Sequence, residues 1–140
     1  SDFLAERPMY FDYLGMGSHH WQGGHCVIGV PSQADTWFFA EGYTGDNFEE
    51  WLCIQNTGDS EAQVEVTYYT QEAGPLPPSI IPIPPRSRFT LPVNLHAGPG
   101  YQLACRLQVI SGPDIMVERP MYFNFNGSWD GGHDVVGYAP

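Results

Sequence analysis

The sequence predicts an all-β fold: a two-sheet antiparallel β-sandwich, immunoglobulin-like, of about seven to nine strands. Three observations predict it. Thirteen prolines and sixteen glycines punctuate the 140 residues at short intervals, the turn spacing of short strands. Between them apolar and polar residues alternate, and no stretch keeps a helical period over three turns. Eight Phe, eight Tyr and four Trp supply core material that a disordered acidic chain lacks.

The strands follow in chain order. TWFFAEG (Thr36–Gly42) and EWLCIQN (Glu50–Asn56) are aromatic-rich and bounded by turn residues. AQVEVTYYT (Ala62–Thr70) puts Ala62, Val64, Val66 and Tyr68 on one face, opposite Gln63, Glu65 and Thr67. PSIIPIPP is apolar but proline-rich, which suits an edge, where a missing N–H is harmless. SRFTLPV groups Phe89, Leu91 and Val93; YQLACRLQVI groups Tyr101, Leu103, Cys105, Leu107 and Val109. Cys53 and Cys105 fall mid-strand, with Cys105 on the apolar face, and read as an inter-sheet disulfide like that of immunoglobulin domains. Cys26 is left over.

The ends of the chain repeat each other. DFLAERPMYFDY (Asp2–Tyr13) matches DIMVERPMYFNF (Asp114–Phe125) at an offset of 112, and WQGGH (Trp21–His25) matches WDGGH (Trp129–His133) at 108. The first copy thus has four extra residues within LGMGSHH. One period of about 110 residues plus the opening of the next fits whole-domain beads better than solenoid units. As a strand, the second copy places Ile115, Val117, Arg119, Met121, Phe123 and Phe125 on one face; the first places Phe3, Ala5, Arg7, Met9, Phe11 and Tyr13 there. Burying five such side chains gains roughly 8–15 kcal/mol gross, so neither copy is expected to stay in water. Two arrangements are open: both copies within one domain, or one copy completing this domain while the other serves a neighbour. The second is preferred. Residues 32–140 then form the sandwich, ending in the second copy, and residues 1–31 are a segment packing on an adjacent unit. The start at Ser1-Asp2, without Met, reads as a processed chain or a stretch of a longer one.

WFFAEGYTGDNFEEWLCIQN (Trp37–Asn56), SRFTLPVN (Ser87–Asn94) and VERPMYFNFNGSWDGGHDVVG (Val117–Gly137) carry a resemblance. The chain resembles an uncharacterised tandem-repeat, Ig-like β-sandwich domain of secreted bacterial surface proteins, built on a FAEGYTG…FEEWLC…ERPMYF…GGHDVVG skeleton. The resemblance covers nearly the whole chain. It implies an extracellular structural or adhesive role and transfers no catalytic residues. Where the skeleton reads GGHD, as at His133-Asp134, the first copy has His25-Cys26.

Sixteen acidic residues against five basic ones give a net charge of −11, a surface that repels nucleic acid and anionic lipid. No window approaches the ~18 apolar residues of a membrane helix. No nucleophile-elbow signature occurs, and no carboxylate pair carries a glycosidase motif, so the chain reads as no enzyme. His19, His20 and His25 lack zinc spacing. Glu41, Asp46, Glu49 and Glu50 are oxygen ligands of the kind calcium favours, without the EF-hand order. No metal site or other cofactor is expected. Trp21, Tyr43, Trp129 and Trp37 are candidate sugar-stacking residues, and Asn126 begins an N-x-S sequon that would accept a glycan in a source that glycosylates asparagine. Arg7 and Arg119, on apolar faces, are expected to pair with carboxylates.

The leading expectation is therefore an extracellular repeat linked head to tail into a stalk or filament, its N-terminal strand added to the next unit (strand complementation). Its partners are identical or similar units. A carbohydrate-binding or adhesive module of a cell-wall-associated protein, with glycans as partners, is the rival.

Overall fold

Alternation along the middle of the chain builds two facing sheets in the computed structural model, which describes residues 3–17 and 19–140. Asp2, at the head of the repeated stretch, and Ser18, within LGMGSHH, lie outside the described residues. One sheet runs β3 (Thr36–Tyr43), β9 (Gln102–Ser111), β5 (Ala62–Thr70), with β6 (Gly74–Pro75) and β7 (Ser79–Ile83) both pairing with β5. The other runs β11 (Trp129–Val136), β10 (Met116–Phe125), β4 (Phe48–Asn56), β8 (Ser87–Pro92). Among the described residues every strand pair is antiparallel. The sandwich holds nine strands, four in one sheet and five in the other. One short helix, α1 (Val93–His96), bridges the sheets between β8 and β9. No helix of the described residues is long and apolar enough to cross a membrane.

The core is the meeting of the two inner faces. Val64, Val66 and Tyr68 of β5 and Leu103, Cys105 and Leu107 of β9 face Leu52 and Ile54 of β4 and Val117 of β10. These β5 and β9 faces are the ones the alternation predicts. The proline-rich β7 pairs with β5 alone, so Pro82 withholds no needed N–H. The turn from β9 to β10 needs Gly112: its φ is 96° and a Cβ there would lie 2.3 Å from the Glu61 carbonyl oxygen.

The expected disulfide is corrected. Cys53 and Cys105 are both free thiols. Leu52 and Ile54 take the inward positions of β4, so Cys53, between them, points out of the sandwich. There it accepts a hydrogen bond from Arg88 Nη2 at 2.9 Å. Cys105 points into the core from the opposite sheet, where burial pushes its thiol pKa up. A one-residue difference in parity separates the two sulfurs.

Outside the sandwich lies a separate two-stranded sheet, β1 (Glu6–Leu14) and β2 (His20–Ile28). It joins β3 through residues 29–35.

A candidate coupling seam between the two copies

Both copies of the repeat form the same hairpin. Met9 lies opposite His25 and Tyr10 opposite Gly24 in β1–β2; Met121 lies opposite His133 and Tyr122 opposite Gly132 in β10–β11. The paired glycines explain the W-x-G-G-H signature. Phe11 covers Gly23 and Phe123 covers Gly131, and at each glycine a Cβ would sit 2.8 Å from the ring. The second copy turns tightly through Asn126 and Gly127, both with positive φ. The four extra residues of the first copy fall in its wider turn, closed by Gly15 N–H donating to the His19 carbonyl at 3.1 Å.

The two hairpins nevertheless sit in different layers. The second is built into the four-stranded sheet through pairing of β10 with β4. The first is laid across that sheet's outer surface, which corrects the expectation that residues 1–31 find their contacts only on an adjacent unit. The physical reason is that β10 has two burial-ready faces. Its odd positions Val117, Arg119 and Met121 are buried on the inner side, and its even positions, with Glu49, Trp51 and Cys53 of β4, leave an outer surface of tyrosine, tryptophan and carboxylates.

The odd face of β1 meets this surface. Phe11 and Tyr13 stand edge-on to Tyr122 with ring centroids 4.9 and 5.4 Å away. Arg7 Nη2 donates to Glu118 Oε2 at 2.9 Å and to Asp134 Oδ2 at 2.7 Å. His19 Nε2 lies 2.7 Å from Asp130 Oδ1. The Tyr13 hydroxyl and the Met16 N–H both donate to the Glu49 carboxylate. The Asp134 side chain is 1% exposed, and burial pushes its pKa up to about 6, Glu118 adding to the rise and Arg7 opposing it. His25 is held below its usual range, first by burial and then by the Arg7 charge.

The seam is less finished than the core. Gaps of about 280 and 290 Å³ flank it, one beside Arg7 and Glu118 and one between Phe11, Trp51 and Tyr122. Trp21 Nε1, both ring nitrogens of His25, Trp51 Nε1 and Asp134 Oδ1 are buried without hydrogen-bond partners. Among the described residues no strand pairing links the hairpin to the sandwich sheets.

The residues singled out by sequence divide as follows. Arg7, Phe11 and Tyr13 make seam contacts and Met9 is half-buried, whereas Phe3, at 90% exposure, and Ala5 lie outside. Ile115, Val117, Arg119 and Met121 are buried, Phe123 stacks on Phe48 at 5.5 Å, and Phe125 is exposed. Arg7 has carboxylate partners; Arg119 has none within ion-pair distance among the described residues, against expectation. Trp21 is 2% exposed and so is withdrawn from sugar stacking, as is buried Trp37. Tyr43 is half-buried, edge-on to Phe48 at 4.9 Å. Trp129 is 66% exposed and stacks on Phe125 at 6.0 Å, 9° from parallel. Asn126 is exposed in its turn.

The calcium candidates diverge: Glu49 points to the seam and Glu50 into the core. His19 faces Asp130 and His20 faces Asp12. Among the described residues no three His, Cys, Asp or Glu side chains cluster as metal ligands. Sequence reasoning missed Glu49, Glu118, Tyr122, Asp130 and Asp134 as seam residues. The signal was Asp134, replaced by Cys26 in the first copy, whose own outer face accepts no hairpin.

No protein-family model matches the sequence, and no curated protein matches it. Solved structures similar in fold include the following two. Thermotoga maritima 1070 superposes with a TM-score of 0.68 at 20% identity, over 77% of this chain and 96% of its own. The Anabaena sensory rhodopsin transducer superposes with a TM-score of 0.54 at 26% identity, over 65% of this chain and 91% of its own. Nearly the whole of each neighbour is thus matched by part of this chain, and the shared property is the all-β sandwich.

Proposed function

We propose that this chain is a non-enzymatic structural repeat whose leading hairpin couples units head to tail, by occupying the outer face of the second-copy hairpin in an adjacent unit as it does in its own. The observation that carries this reading is the duplicate hairpin. One copy is woven into the sandwich, and its near-twin is held by side chains alone at the end of a short connection. A hairpin with those attachments can exchange between chains without loss of any strand pairing in the sandwich, the usual route of domain swapping. The resemblance drawn from the sequence puts such units outside the cell in a stalk or filament.

Removing residues 1–30 tests this. The intact chain should gain mass with concentration, and the truncated chain should stay folded and monomeric. Identical assembly of both, or a strictly monomeric intact chain, would remove the proposal.

A second reading, glycan binding, is favoured by the exposed Trp129–Phe125 stack, a flat apolar platform of the kind sugars pack against. Loss of polysaccharide affinity in Trp129→Ala, with assembly intact, would select it. No affinity for any cell-wall or plant polysaccharide would discard it.

A further inference from the structure

Arg119 is the equivalent of Arg7 in the second copy, yet its surroundings are opposite. It is 4% exposed, and its side chain forms no ion pair among the described residues. Its Nε is buried and unpartnered, and the Phe39 ring, 5.9 Å from the guanidinium carbon, is its one aromatic contact. A guanidinium withdrawn this far from bulk water is stabilised by an anionic partner. None comes from the fold. Glu50, also fully buried, has both carboxylate oxygens without partners, but it stays outside ion-pair distance of Arg119.

Arg119 lines a pocket of about 640 Å³ where the edge strands β3 and β11 part, a volume typical of small-ligand sites. Tyr138, which pairs with Phe38 through hydrogen bonds of 2.8 and 2.9 Å, closes one end. Phe38, Phe39, Val135 and Tyr138 make the walls, and Glu41 is the acidic group on the rim. The half-buried His133 lies on the same hairpin; burial first, then the Arg119 charge, hold its pKa down, with Glu41 opposing.

We propose that this pocket binds a small monocarboxylate with an apolar body, its carboxylate on the Arg119 fork and its body against Phe39 and Val135. The planar guanidinium offers two parallel donors to a carboxylate. A single cation, with acidic Glu41 in the same lining, disfavours dianions such as phosphate esters. Apolar walls disfavour free sugars. The site is separate from the seam: Arg119 faces inward from β10, and the hairpin covers the outward face.

The test uses the intact chain and 3-phenylpropionate, octanoate and the corresponding neutral amides, followed by calorimetry and by chemical-shift changes at Val135 and Tyr138. A carboxylate should bind, with its amide and the Arg119→Gln variant each at least about tenfold weaker. Val135→Trp fills the pocket while leaving Arg119 in place and should abolish binding, which keeps the test decisive if Arg119→Gln does not fold. Equal binding of acid and amide, unchanged binding in either folded variant, or no binding of either acid at about 10 mM, a ceiling far weaker than typical ligand sites, would overturn the proposal.

Discussion

Glu50 is the clearest single-residue test of the packing. It is wholly buried, and burial pushes its pKa up to about 7 from an ordinary 4.5, with the Arg119 charge opposing the shift. A carboxyl whose pKa is raised by folding stabilises the protein fully below its unfolded value, and that stabilisation is lost as pH rises through the folded value. Relative to Glu50→Gln, the protein should therefore gain up to roughly 3 kcal/mol as pH falls from 8 toward 4.5. Urea midpoints of the two proteins across that range measure it, and parallel curves would contradict the burial. Gly42 makes room for this side chain, since a Cβ there would lie 2.3 Å from a Glu50 oxygen. The cysteines give a second residue-scale test. Thiol titration of the unfolded chain without reductant should count all three, Cys26, Cys53 and Cys105, as free; one thiol would restore the Cys53–Cys105 bridge.

At the scale of elements, the hairpin β1–β2 should behave as its own cooperative unit. Its seam rests on the Tyr122 ring, on Arg7 and on Glu49, with Arg7 half exposed and its ion pairs correspondingly weak. Tyr122→Ala removes the rings' shared partner and should loosen hairpin docking by about 2 kcal/mol. Hydrogen exchange should then quicken in residues 6–28 and stay slow in β5 and β9. Uniform change through the chain would mean that the hairpin is not separable.

This is also where sequence reading succeeds and fails. Ala62–Thr70 has one apolar face and one polar face, so its alternation names its buried side, and β5 has those bounds. β4 does not: its inward set holds an ionisable Glu50 beside Leu52 and Ile54, and its outward set holds Trp51 and Cys53. The two faces are nearly equal in hydropathy because a third layer covers the outer one, and parity alone could not place Cys53. For the same reason the repeat was legible as a strand with one apolar face, while Tyr122 and Asp134 on its other face went unread. Arg119 escaped too, because periodicity marks a charged residue on a buried face without saying whether anything answers it.

At the scale of the whole molecule, the duplicated hairpin gives the chain a donor surface and an acceptor surface on one body, the condition for head-to-tail association. A net charge of −11 opposes close approach of units, and the seam itself pairs a cation, Arg7, with acidic Glu118 and Asp134. Assembly should thus be favoured by salt until screening reaches the Arg7 contacts. Arg7→Asp and Asp134→Arg provide the most direct measurement. Each sets like charges against one another within its own seam, but in a mixture the Arg7 hairpin of the second meets the intact Asp134 face of the first. Sedimentation velocity should find each variant monomeric alone and a heavier complex on mixing. A mixture that sediments as two monomers, beside an intact chain that never self-associates, would contradict coupling through the hairpin.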